Sequence, residues 1–259
     1  MGIRLAITVC LLSAVFTLSA APLYPELVER SEVDDEALQD ALEQIRELEE
    51  ITVIDELPLP PFHHRDAIPV TARQPFCLRC HLPLPHRRDE RARTFLNMHG
   101  RFIACETCHF RPAGVELEYR WLAYGGEQAG QALPDRKPPP EQEEFPSLIP
   151  REDARIAPFH GGEMVLVFAD HPFAERVEQR WREGTEREKA ELKVRLHAPL
   201  EKRGPKCGEC HGERNVLLDP GALGASPRQL RAFRQNTIVR FFERFGDEEG
   251  RLRIDELLR

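Results

Sequence analysis

Three short runs constrain this chain more than anything else in it: CLRCH (Cys77, Cys80, His81), CETCH (Cys105, Cys108, His109) and CGECH (Cys207, Cys210, His211). Each sets two thiols three positions apart and a histidine directly after the second. By chance, the number of such runs expected from this composition is on the order of 0.01. Six of the seven cysteines are spent on them, so the fold must be arranged around whatever the repeated pentapeptide holds.

Three familiar uses of cysteine pairs leave part of the pattern unexplained. A disulfide framework accounts for an even number of cysteines but gives no role to the histidine after every pair. A zinc ribbon joins two CxxC knuckles into one four-cysteine site, and three knuckles do not divide into whole sites. A thioredoxin-like dithiol needs one CxxC at a strand-to-helix turn, not three scattered copies. Covalent haem attachment explains every residue: the two thiols add to the two vinyl groups of one macrocycle, and the next histidine lies under the iron as its proximal ligand.

On these three motifs the chain resembles the multihaem c-type cytochromes, which are exported electron carriers. The resemblance covers short islands of sequence. It implies three covalently attached c-type haems, thioether bonds from Cys77, Cys80, Cys105, Cys108, Cys207 and Cys210, and proximal iron ligation by His81, His109 and His211. The anchors at 77 and 105, close together, look somewhat like the small dihaem subunits of periplasmic nitrate reductases. The third anchor and the long insertion before it depart from that pattern.

Whether the sixth position of each iron is filled separates carriers from catalysts. Seven further histidines are available, His63, His64, His86, His99, His160, His171 and His197, against only Met98 and Met164 beyond the initiator. Bis-histidine ligation is therefore expected at all three irons. His99 is the first candidate: helix-forming residues precede it, and Gly100 suits a left-handed helix end. His63 and His64 follow the extended LPLPPF, where neighbouring side chains face opposite sides. His197, ten residues before Cys207, is expected at the third haem. His160 is the runner-up there, because Gly161 and Gly162 would admit a flat macrocycle. His86 and His171 adjoin prolines and read as loop histidines, His86 being a further runner-up.

Residues 1–21 have the layout of a cleaved secretory signal peptide: Arg4, an apolar stretch containing Cys10, and small residues ending in Ala20 and Ala21. The expected location is thus exported, most simply periplasmic. The formal charge of -8 disfavours nucleic acid and suits a protein partner with a basic face. Contact with the membrane is expected only by association.

The fold expected is mainly α with much irregular structure and a small β-hairpin, in a haem-packed architecture. An amphipathic helix over residues 31–50 should lie across the haem pair. Residues 22–125 read as a dihaem module, 126–158 as a proline-rich linker and 159–259 as a single-haem module. Strands are expected at 114–124 and 163–169, pairing with each other. Residues 173–197 read as one charged helix. Ser226 and Pro227 start another, running to about residue 245.

The function implied is electron transfer between redox proteins: a membrane quinol-linked donor, and a terminal reductase or another cytochrome as acceptor. Two other readings remain open at this point. One is a haem enzyme whose third iron is five-coordinate and reduces an oxyanion or peroxide; the other is a scaffold subunit of a larger redox complex.

Overall fold

The computed structural model describes residues 22–47, 73–86, 92–135, 137, 150, 153–213 and 216–245. Residues 1–21, His63, His64 and, within the expected linker, residues 138–149 lie outside the described residues. The chain is mainly helical, with one small antiparallel sheet.

Two helices open it. Helix α1 (Leu23–Arg30) buries Tyr24 and Val28. Helix α2 (Asp35–Arg46) starts where the Asp34 carboxylate accepts from Ala37 N–H, and it carries acids in its first turn and Arg46 in its last, the placement a helix dipole favours. Its buried stripe of Leu38, Ala41 and Leu42 packs on Ala190 of α6 (Glu186–His197). The amphipathic helix therefore lies against another helix, not across the paired motifs as expected. Its apolar stripe is narrow and is filled by the small aliphatic residues Ala190 and Val194 of that helix.

The expected single helix at 173–197 is two. Helix α5 (Pro172–Glu183) ends at Gly184, where any Cβ would lie 2.6 Å from the Arg180 carbonyl. Thr185 and Glu188 then form a reciprocal capping box that starts α6. The helix expected from Ser226 also divides. Ser226 and Gln229 cap α8 (Pro227–Arg234) in the same way. The Asn236 side chain then accepts from Ile238 and Val239 N–H at 3.0 and 3.3 Å and starts α9 (Thr237–Phe245).

Strand β1 (Glu118–Ala123) pairs with β2 (Ala154–His160) from Glu118↔Phe159 to Ala123↔Ala154. The partner of β1 thus comes from the end of the expected linker, not from 163–169. Of that run only Glu163 and Met164 form a strand, β3, which closes on β2 through Gly161 and Gly162. Their φ of 58° and 83° make a tight two-residue turn, so these glycines serve the hairpin and not a ligand face. Residues 165–168 are almost wholly buried. They bond to the segment before Cys77, with Phe76 N–H donating to Val167 O at 3.1 Å. A continuous apolar run of this kind does not reveal its partner.

The cores cross the expected division into modules. One joins Tyr24, Phe76 and Phe110 to Val167, Phe173, Leu192 and Leu196; another joins Trp121 and Ile156 to Leu218 and Leu223. Trp121 Nε1–H also donates to Leu223 O at 3.0 Å. No helix among the described residues is long and apolar enough to cross a membrane.

Candidate functional site

Each cysteine motif makes about one helical turn: a 3₁₀ turn, Phe76–Arg79, for the first, then α4 (Cys105–His109) and α7 (Cys207–His211). A single turn brings the first cysteine and the histidine four residues later onto one face. The turns are fixed from outside. Ala104 N–H donates to Ile156 O at 2.9 Å, and the Thr107 hydroxyl donates to the same carbonyl at 2.8 Å, holding α4 against β2.

The three motif histidines each face one other histidine. Ring centroids are 6.0 Å apart for His81 and His197, 6.3 Å for His109 and His86, and 6.2 Å for His211 and His99. Two imidazoles bound through one nitrogen each to a shared metal at ~2.0 Å would stand about 6 Å apart, centroid to centroid.

The outer edges of five of these six rings are held. Nδ1 of His109 donates to Glu201 O at 2.9 Å, that of His197 to Lys193 O at 2.8 Å, and that of His211 to Phe233 O at 3.1 Å. Nδ1 of His86 meets the Asn97 side-chain oxygen at 3.1 Å, and the His99 ring bonds to the Phe95 carbonyl. A carbonyl acceptor at Nδ1 fixes the proton there and leaves the Nε2 lone pair free for a metal. Burial holds the His81 and His99 imidazoles below their usual range, hence neutral, as a ligand must be.

The thiols also meet. Cys77 hydrogen-bonds Cys105, and its Sγ lies 3.3 Å from Glu106 Oε1. Cys108 lies near enough to Cys210 to help raise its thiol, and Arg111, which follows the second motif, bridges to Glu209 of the third at 3.2 Å. The second motif therefore sits between the other two, and the third is not isolated in space as its sequence position suggested. Burial pushes Cys108 up to about 11 and Cys210 up to about 12, the reverse of a reactive dithiol. Cys105 alone is held down, by the Cys77 hydrogen bond.

Most large exposed apolar side chains gather on the histidine-bearing segments. Leu82 follows His81, Leu84 precedes His86, and Leu96 and Met98 flank His99, all between 36% and 51% exposed. Among the described residues no three His, Cys, Asp or Glu side chains converge on one point; the histidines meet in twos. Such a set does not make a zinc cage. It does match a planar macrocycle that brings four ring nitrogens of its own and covers apolar surface on both sides.

Placement differs from the sequence expectation at several residues. His197 faces His81 of the first motif, not the third. His99 is in a helical end as expected, in α3 (Asn97–His99) after a π-helical turn, Ala92–Leu96, but Gly100 has a right-handed φ of -58°. His99 faces the third motif. His86, read as a loop histidine, faces His109 because Asn97 clamps it, its amide also donating to His86 O at 3.0 Å. That clamp spans eleven residues and has no local sequence signature. His160 lies at the exposed sheet end, its Nδ1 on Glu116 O, and faces no motif histidine. His171 caps α5. His63 and His64 lie outside the described residues. No family model, curated protein or solved structure matches this chain.

Proposed function

We propose that this chain is a three-haem c-type cytochrome that carries electrons between redox proteins. One observation carries the reading: among the described residues each motif histidine has a second histidine facing it at 6.0–6.3 Å, the spacing that shared axial ligation needs. The held Nδ1 edges, the exposed apolar rims and the contact between successive motifs support it.

On this reading Cys77 and Cys80, Cys105 and Cys108, and Cys207 and Cys210 each anchor one haem by thioether bonds. His81 with His197, His109 with His86, and His211 with His99 are the axial pairs. His63, His64 and His160 are then not required as ligands. A haem supplies one-electron chemistry at its iron. The chain's residues do the rest: the carbonyls of Glu201, Lys193 and Phe233 keep Nδ1 protonated and orient the rings, and the buried faces around Phe76, Phe110 and Trp121 exclude water. Paired imidazoles set lower reduction potentials than a histidine–methionine pair, which suits a carrier on the reducing side of an exported respiratory chain, between a quinol-linked membrane donor and a terminal reductase or another cytochrome.

With a histidine facing each motif, an open iron that binds substrate has no support here. The test is a haemochrome assay and EPR of the exported, matured protein. The expected result is three covalent haems per chain, all low-spin. Fewer than three haems overturns the assignment, and a high-spin haem that binds nitrite or cyanide moves the protein to the enzyme class.

A further inference from the structure

Helix α8, beside His211, is cationic in a chain of net charge -8, with the exposed acids Glu213 and Asp219 just before it in the sequence. From residue 220 to residue 242 the sequence has no Asp or Glu but has Arg228, Arg231, Arg234 and Arg240. All four are exposed. The first three recur at every third position along α8, hence on one side of it. This helix also supports the site: the Phe233 carbonyl accepts from His211 Nδ1 at 3.1 Å, and the Phe233 ring lies over the His211 ring at 3.9 Å between centroids. Exposed apolar side chains lie within the same region, Ile238 on α9 and Leu96 and Met98 beside His99.

A few exposed apolar groups beside a redox centre with arginines around them form a docking surface for a protein of opposite charge. Long-range attraction raises the encounter rate and orients the partner, while the apolar centre excludes water at contact. Arginine is suited to this because it pairs with carboxylates at low desolvation cost. The other end of the motif series is built differently. There His197 ends α6, which is covered by the acidic α2.

We propose that the α8–α9 face is the docking site of an acidic redox protein, so that electrons enter or leave this chain at the His99–His211 end. The proposal rests on the three-haem reading. Only charge complementarity selects the occupant, and an anionic lipid surface is the competing one.

The test uses the matured full chain and Arg231→Glu/Arg234→Glu in it. The probe is a reduced plant-type ferredoxin, an acidic iron–sulfur protein whose cluster loses one electron as one haem iron gains it. Stopped-flow rates are read at several ionic strengths. The wild-type rate constant should fall steeply with salt; the double variant should be about tenfold slower at low salt, with a flat salt dependence. A milder variant, Arg231→Gln/Arg234→Gln, should fall between them. The methyl viologen radical cation, a small and strongly reducing one-electron donor, should reduce the variants at least as fast as the wild type. Equal ferredoxin rates and slopes in all three proteins would overturn the proposal. So would loss of binding to phosphatidylglycerol vesicles with the ferredoxin rate unchanged, which would make the face a membrane contact. The haem count and EPR of each variant are separate readouts: if the wild type lacks three haems, it is the three-haem reading that fails.

Discussion

The first and third histidine pairs are built from the same pentapeptide and supported in opposite ways. His197 ends a twelve-residue helix whose Ala190, Leu192 and Leu196 are buried in two cores, and the Tyr24 hydroxyl, from the far end of the chain, donates to Leu196 O at 2.9 Å. His99 comes from a three-residue turn, and none of α3, α7 and α8 contributes a buried residue within its helix. A ligand on a packed helix is held in place by the fold. A ligand on a hydrogen-bonded turn is held by its immediate neighbours and by what it binds. The firm pair takes its second histidine from the helix that α2 packs on, and the lightly held pair sits beside the arginine-bearing α8.

The largest effect should come from the motif between them. Cys105→Ala/Cys108→Ala should lower the covalent haem count by one and remove the link between the outer pairs. Mass spectrometry of the intact protein reads this, and a haem-complete product would dismiss the anchoring role. Next, His197→Ala and His99→Ala should each convert one haem to high-spin in EPR. The His99 variant should regain a low-spin signal with added imidazole more readily, since its surroundings are more open. Equal rescue of both would erase the contrast drawn here.

Stability measurements sharpen the same comparison. Leu196→Ala opens a cavity in the core under His197 and should cost ~2–5 kcal/mol. Ser226→Ala removes the α8 cap and should cost about 1 kcal/mol, with the spectral disturbance confined to the third haem. Denaturant unfolding checks both; a larger loss from the cap would reverse the ranking.

The smallest effect concerns pH. Glu106 is buried beside the first and second motifs, and burial raises its carboxyl above the ordinary 4.5 despite the hydrogen bonds and the Arg155 charge that oppose it. The folded chain therefore binds this proton more tightly than the unfolded one. That contribution to stability is complete below about 4.5 and is lost as pH rises through the folded value. Glu106→Gln should flatten this part of the melting-temperature profile and stabilise the protein at neutral pH. A profile unchanged by the substitution would show that Glu106 is not its source.

Local chemistry was legible before any fold was known. One cap residue was plain in the sequence: Ser226 starts a helix where its side chain accepts a backbone N–H, whereas the Asp34 cap was not singled out within the acidic run at 31–36. The breaks at Gly184 and Asn236 were less visible, because charge-rich helical composition continues through both. The β1 partner was missed because residues 165–168 look more strand-like than residues 154–160, which contain Pro158 and a proline-rich approach.

By itself the sequence determined what each pentapeptide offers: two thiols and an imidazole on one turn, since that depends only on spacing along a helix. Only the tertiary structure decided which second histidine each motif meets. His81 and His197 are 116 positions apart, and His99 and His211 are 112 apart; no local rule reaches that far. The pairing follows from cores that join distant parts of the chain, from one asparagine clamping His86, and from backbone carbonyls that orient the His99, His109, His197 and His211 rings.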